Sequence, residues 1–305
     1  MSDCDALRTD WTDAVARGRT PTPLALKAHL KAVHKTNTGF TESCATHCTD
    51  EAGRTSYSWL LEAVHPEIDG VLLDLACGSG PLLDLCDRRF APEMQLIGVD
   101  MSADELDVAR RRLPSGRVEL YEAQADAMTL IPNASVDVAL CHWALTLIDP
   151  VMPALQEVKR VLKPGGRFAA IVDGPMELAP SYKRVNDLVY GYVKQELPSY
   201  GAVDLGDPCV RNWAGVMELM RKAFPDSNIR VEANIVSMDG SPVAVAKEAA
   251  GFFYANFVLS NERRRAMLID LAETLDTVQS DMSRSNPVAR FSMPINRIVV
   301  DLSKA

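Results

Sequence analysis

From residue 71 to residue 173, short apolar runs alternate with stretches whose apolar residues recur every three or four positions. The runs at 71–75, 96–100, 118–123, 136–141 and 167–173 have the length and continuity of strands buried on both faces. Between them, Leu106, Ala109 and Leu113 share one helical face, and so do Val151, Leu155, Val158 and Leu162. Ser102 stands where the first of these helices needs an N-cap, and Lys163-Pro164-Gly165-Gly166 stops the second. Strand and helix in alternation predict an α/β fold with a mostly parallel sheet covered by helices on both faces.

The pattern differs on either side. Residues 1–65 read as an N-terminal helical cap: Pro21 and Pro23 punctuate its entry, 24–33 is an apolar helix, and a later helix carries Tyr57, Leu60, Leu61 and Val64. After Asp173, residues 174–209 hold Tyr182, Tyr190, Tyr192 and Tyr200 among several Pro and Gly, and read as an inserted helical lid. A helix near 213–224 returns to the core, and Ile229, Val231, Ala233 and Ile235 alternate strictly, as in a strand with one buried face. Two more helices, one with Val245, Ala249, Phe252, Phe253 and Phe257, the other with Leu268, Leu271, Leu275 and Val278, precede a last strand at 291–302. The expected division is therefore a cap at 1–65, an α/β core at 66–173, a lid at 174–209, and the rest of the core at 210–305 with a helical insertion at about 241–280.

The chemistry centres on 71–83, Val-Leu-Leu-Asp-Leu-Ala-Cys-Gly-Ser-Gly-Pro-Leu-Leu, which reads as strand, glycine turn and helix start. Gly78 and Gly80 allow a sharp turn and close approach of a ligand, and Pro81 is tolerated in a first helical turn. A dinucleotide fingerprint needs Gly or Ala where this chain has Leu83, and a P-loop needs a Lys that does not follow Gly80. Neither phosphate-binding pattern is met.

The string Leu-Asp-Leu-Ala-Cys-Gly-Ser-Gly instead resembles the first motif of the class I S-adenosylmethionine (SAM) methyltransferases, usually D-x-G-x-G-x-G. Three further stretches resemble that family in order: Ile97-Gly98-Val99-Asp100-Met101-Ser102, Gln124-Ala125-Asp126-Ala127, and Arg160-Val161-Leu162-Lys163-Pro164-Gly165-Gly166. The flavour is that of the small-molecule enzymes of ubiquinone and menaquinone biosynthesis, with Ala76 where many members carry Gly. The resemblance implies a Rossmann-like seven-stranded sheet with helical caps, SAM as methyl donor and S-adenosylhomocysteine as product. It implies that Asp74, Ala76, Cys77, Gly78 and Gly80 line the methionine part, and that Asp100 accepts from the ribose hydroxyls. Met101 would pack on adenine, Asp126 would accept from the adenine amino group, and the backbone of Ala127 would donate to the ring.

His142 follows the fourth strand at the sheet edge where α/β folds bind ligands. It is a candidate both for packing beside the cofactor and for general-base work, since a neutral His takes protons near pH 7. Tyr57 and Trp143 are the expected walls of the acceptor pocket, with Tyr182, Tyr190, Phe252, Phe253 and Tyr254 as further aromatic candidates. Cys44-x-x-His47-Cys48, with His34 nearby, invites a zinc reading, but this spacing suits a helix with ordinary Cys and His better, and no metal is expected.

Composition narrows the partners. The chain has 305 residues, 47% apolar and 24% charged, as an ordinary globular protein does. A net charge of −9 works against nucleic acid; the basic runs Arg110-Arg111-Arg112 and Arg263-Arg264-Arg265 read as solvated helix faces. No apolar run approaches the ~20 residues that span a bilayer, and the N-terminus reads as no signal peptide. Seven cysteines in no framework spacing fit a reducing cytoplasm. The expected function is methyl transfer from SAM to O, N or C of a small metabolite. The rivals are a SAM-binding protein of non-methylating activity and an NAD(P)-binding oxidoreductase, and a homodimer is left open.

Overall fold

The computed structural model describes residues 6–65, 70–90, 92–113, 116–201, 205–278 and 288–304. Among these, eight strands occur: β1 Val71–Leu75, β2 Gln95–Asp100, β3 Val118–Glu122, β4 Val136–His142, β5 Leu162–Asp173, β6 Asn228–Gly240, β7 Asp276–Val278 and β8 Val288–Asp301. Their order is β3-β2-β1-β4-β5-β8-β6, with β7 off that path on β8. The ladders from β3 through β5 are parallel, and β8 runs antiparallel to β5, pairing Arg167 with Asp301 and Asp173 with Ile295. The result is the mostly parallel, Rossmann-like α/β sheet that the alternating pattern predicts.

Contacts divide the chain into two compact units. The first joins residues 1–55, 174–204 and 235–294, and the second joins 56–173, 205–234 and 295–305. The second unit holds the parallel sheet. On one face, Leu73, Leu75, Val99, Ala139, Cys141, Phe168 and Ala170 pack with Val151, Leu155 and Val158 of helix Val151–Val161 and with Val216 and Met220 of helix Trp213–Ala223. Because side chains alternate along a strand, Leu72 and Asp74 point to the other face.

In the first unit, helix Pro23–Thr36 is capped by Thr22, and its buried His29 stacks on Trp11, with ring centroids 4.8 Å apart. Helix Pro180–Glu196 fills the middle of the stretch read as a lid. Tyr182 packs on Phe253 and Phe291, Tyr190 on Tyr200, and Tyr254 on Phe40 while it hydrogen-bonds His34 at 2.8 Å. The further aromatic candidates Tyr182, Tyr190, Phe253 and Tyr254 thus each pack on another aromatic ring in this unit.

Three local expectations are corrected. First, β5 begins at Leu162, so Lys163-Pro164-Gly165-Gly166 lies inside a strand that starts where the helix stops. Between the pairs Val136–Leu162 and Val138–Arg167 the ladder advances two residues on β4 and five on β5, so the turn bulges out without ending the ladder. Second, the alternation of β6 changes phase. Ala233 and Ile235, expected inward, are exposed, Ile235 at 39%, while Val236 is fully buried; the slip falls at 232/233, where two consecutive residues face solvent. Third, Arg264 turns inward from helix Asn261–Thr274 and donates to the carbonyls of Asn256 and Leu259, at 3.3 and 3.2 Å. Asn256 O thereby gains a side-chain donor beside the Leu259 N–H, and Leu259 O gains one as well.

Candidate active site

β1 ends at Leu75 and the chain turns at once. Ala76, Gly78 and Gly80 have φ of 57°, 53° and 80°, all left-handed. The Cys77 N–H donates to Val99 O at 3.0 Å, and the Gly80 N–H to Cys77 O at 3.0 Å, so the loop is tied to the end of β2 and to itself. The two glycines are needed for different reasons. A Cβ on Gly80 would press on Leu113 Cδ1 and Ala109 Cβ at 3.0 and 3.1 Å, whereas a Cβ on Gly78 would meet nothing within 4 Å. Gly80 lets the end of helix Ala103–Arg112 pack closely on the loop; Gly78 leaves open space in front of the backbone.

Ala76 carries a Cβ in a left-handed conformation, which costs about 1–2 kcal/mol. Glycine relieves this but loosens the unfolded chain by roughly 0.4–1 kcal/mol. Ala76→Gly is therefore expected to stabilise the protein by about 0.5–1 kcal/mol with donor affinity unchanged. Urea unfolding beside calorimetry checks both; a destabilised variant would show that the strain is taken up elsewhere.

Asp100 closes the end of β2 and faces this loop. It is 9% exposed, its Oδ2 accepts from the Gly78 N–H at 2.9 Å, and its Oδ1 accepts from the Ser102 N–H at 2.8 Å. Ser102 caps helix Ala103–Arg112 as expected from the sequence. Behind the loop, Asp74 is 1% exposed and its Oδ2 has no hydrogen-bond partner. Burial, and secondarily the Asp100 charge, pushes its carboxyl well above the usual range. Burial likewise keeps the Cys77 thiol protonated, with its pKa raised well above the ordinary value. Met101 is half-buried beside Asp100.

After β3, Asp126 is half-buried and Ala127 exposed. The Ala127 N–H, which the family resemblance aims at a ring, donates here to Gln124 O at 2.9 Å. The segment is anchored by a pair that sequence reasoning missed. Glu157 Oε2 accepts from the Met128 N–H at 3.0 Å, and Arg160 donates to Glu157, Met128 O, Ile131 O and Asn133 Oδ1 at 2.7–2.9 Å. The available signal was the Glu-x-x-Arg spacing on the last turns of a helix. Arg160 holds the Glu157 carboxyl below its ordinary range.

At the fourth strand, Asp74 pairs with Leu140, so Ala76 and His142 leave the sheet at the same carboxyl edge. His142 Nε2 lies 2.8 Å from Ser56 Oγ. Its ring stacks on Tyr57, centroids 3.8 Å apart at 21°, and meets Trp143 edge-on at 5.1 Å. Trp143 is left-handed, with φ 62°, and its Nε1 donates to Asp173 Oδ1 at 2.7 Å. Burial lowers His142 to about 3, so its imidazole is neutral across the physiological range. Ser56 and Asp173 were not identified from sequence: their partners lie 86 and 30 positions away, where periodicity carries no information.

In the first unit, Cys44 and Cys48 are buried with sulfurs 3.9 Å apart, and His47 is turned to Glu248, Nδ1 to Oε2 at 4.0 Å. Among the described residues no three His, Cys, Asp or Glu side chains gather as metal ligands.

A glycine loop, an acid closing β2 and a second acidic loop after β3 thus lie at one edge of a Rossmann-like sheet. Residues 73–170 match a family model described as a methyltransferase domain. The demethylmenaquinone methyltransferase of Symbiobacterium thermophilum is 39% identical over 103 residues, which is 33% of this chain and 41% of that protein. The chain thus spans about two fifths of that relative's length. Among solved structures, Haemonchus contortus phosphoethanolamine N-methyltransferase 2, in complex with phosphomonomethylethanolamine and S-adenosylhomocysteine, superposes with TM-score 0.56 at 18% identity. The match covers 92% of this chain and 60% of that one. The [4+2]-cyclase SpnF also superposes with TM-score 0.56 at 18% identity, covering 94% and 98%.

Proposed function

We propose that this chain is a SAM-dependent methyltransferase acting on a small molecule in a reducing cytoplasm. The observation that carries the reading is the Asp100 carboxylate, clamped to Gly78 N–H at the end of β2 beside a loop open in front of Gly78. The residues present fit the donor. It bears no phosphate, and the loop at 76–80 bears no Lys or Arg; it bears a sulfonium and an ammonium, and Asp74 offers a buried carboxyl with one oxygen lacking a partner. Asp74, Ala76, Cys77, Gly78 and Gly80 would hold the methionine part, Asp100 the ribose, and Met101, Asp126 and Ala127 the adenine. Bound there, SAM supplies an electrophilic methyl group. Ala127 N–H would have to exchange its Gln124 acceptor for the ring, a local change within one turn.

The chain's own part is to hold acceptor and donor in line and to keep water out. Tyr57, His142 and Trp143 form a packed aromatic wall fixed from behind by Ser56 and Asp173. We assign His142 the role of a neutral hydrogen-bonding wall beside donor and acceptor and not that of general base, since a group lowered to about 3 by burial is a poor proton acceptor at pH 7. The rate is then expected to show no limb from His142, and His142→Gln to retain activity within about tenfold. A limb near the ordinary value of 6.5 that disappears in His142→Gln would restore the base.

Calorimetry with SAM and S-adenosylhomocysteine is the direct test, and absence of binding in the micromolar range to either would sink the proposal. The likeness to a cyclase keeps a second reading alive, that of a SAM-binding protein of non-methylating activity, since fold alone does not fix chemistry. That reading predicts SAM binding with no S-adenosylhomocysteine formed on any acceptor.

A further inference from the structure

Helix Phe40–His47 ends with two sulfurs side by side. Cys44 and Cys48 are both fully buried, and their Sγ atoms lie 3.9 Å apart. The four-residue spacing puts them on one helical face. Met293, equally buried on β8, brings its Sδ to 3.9 Å from Cys44 Sγ. Cys44 therefore touches both a second thiol four residues on and a thioether 249 positions away, all within one compact unit.

The geometry suits an ion. Metal–thiolate bonds near ~2.3 Å span sulfurs about 4.0 Å apart in a trigonal plane, and the two edges that meet at Cys44, each 3.9 Å, match. The donor set decides which ion. Cys and Met sulfurs select Cu(I), whereas Mg²⁺ and Ca²⁺ need oxygen ligands and structural Zn²⁺ needs four ligands. Imidazole is not offered, because His47 is turned to Glu248. Burial also matters, for a trigonal soft ion keeps no water and needs none.

We propose that Cys44, Cys48 and Met293 form a site for one soft monovalent cation, with Cu(I) its occupant. Two Cu–thiolate bonds form as two S–H bonds break and both protons pass to solvent. Met293 donates a lone pair with no proton change, and copper stays at +1. The bound ion ties the end of a helix to β8 and raises the melting temperature by mass action.

The test uses the full chain with Cys4→Ser and Cys209→Ser, the latter removing an exposed thiol. Cu(I) is titrated anaerobically against a chromophoric chelator. The expected result is one ion bound per chain, two protons released, and a copper X-ray absorption signal of three sulfur neighbours at ~2.3 Å. Cys44→Ser is expected to weaken binding by more than roughly a hundredfold. Met293→Leu conserves volume and keeps the fold, and it is expected to weaken binding roughly tenfold while lowering the sulfur count to two. Should Cys44→Ser fail to fold, Met293→Leu and the absorption spectrum decide. Affinity indifferent to both substitutions, a sulfur count that Met293→Leu leaves unchanged, or no binding beyond the chelator's competition overturns the proposal.

Discussion

Asp100→Ala is expected to weaken binding of SAM and S-adenosylhomocysteine by two to three orders of magnitude. On the proposed placement the carboxylate accepts from two ribose hydroxyls, and hydrogen bonds to a charged group are worth about 1.5–3 kcal/mol each. The sum, discounted for non-additivity to about 3–4 kcal/mol, corresponds to that range at 1.4 kcal/mol per tenfold. The same carboxylate also clamps Gly78 N–H at 2.9 Å and Ser102 N–H at 2.8 Å, so alanine additionally loosens the loop and the start of the following helix. The two effects separate in Asp100→Asn. An amide keeps one acceptor oxygen, and its NH2 would oppose one of the two backbone N–H donors. It is expected to hold most of the loop geometry while losing the charge, with binding weakened by about tenfold to a hundredfold. Calorimetry on both variants, with thermal unfolding as the check on the loop, makes the comparison. Donor affinity within threefold of the parent in Asp100→Ala would remove the ribose role and leave Asp100 a structural clamp.

Much of this was legible because the central sheet is buried on both faces. Continuous apolar runs such as 71–75 and 136–141 then announce strands without needing neighbours to interpret them. The glycine loop was legible for a related reason: the left-handed conformations at Gly78 and Gly80 are ones that few residues other than glycine adopt at low cost. What escaped was decided by partners distant in sequence. Nothing near Ser56 announces that its hydroxyl meets His142, nor near Trp143 that its indole finds Asp173. The phase slip of β6 escaped because Ile235 fits the buried alternation as well as Val236 does; the neighbour that chooses between them belongs to the fold. Arg264 escaped because a run of three arginines looks solvated, and only the carbonyls of Asn256 and Leu259 give the middle one a reason to turn inward. Asp74 stands between these cases. The strand period places it inside, but only the packed structure leaves its Oδ2 without a partner.

That isolated carboxyl sets up a conflict between stability and ligand binding, and Asp74→Asn should expose it. Burial, reinforced by Asp100, raises its folded value well above the ordinary 3.8. Between those two values the folded chain retains a proton that the unfolded chain has lost, so stability falls as pH rises through the window. Each pH unit there costs about 1.4 kcal/mol. Asparagine has nothing to titrate. Its advantage over the parent is therefore expected to grow by about 1.4 kcal/mol per unit as pH rises above the ordinary carboxylate range. Urea midpoints at several pH values measure that slope, and a constant difference between the two proteins would mean that Asp74 is already ionised when folded. The cationic donor should reverse the balance. Its sulfonium and ammonium favour the carboxylate, so binding to the parent is expected to expel a proton, seen as a dependence of the calorimetric heat on the ionisation enthalpy of the buffer. Asp74→Asn should bind SAM more weakly and without that dependence. Asp100→Ala, by removing the second cause of the shift, should ease ionisation of Asp74 and reduce the proton released. The same buffer dependence in parent and Asp74→Asn would assign the proton to another group and take Asp74 out of the donor site.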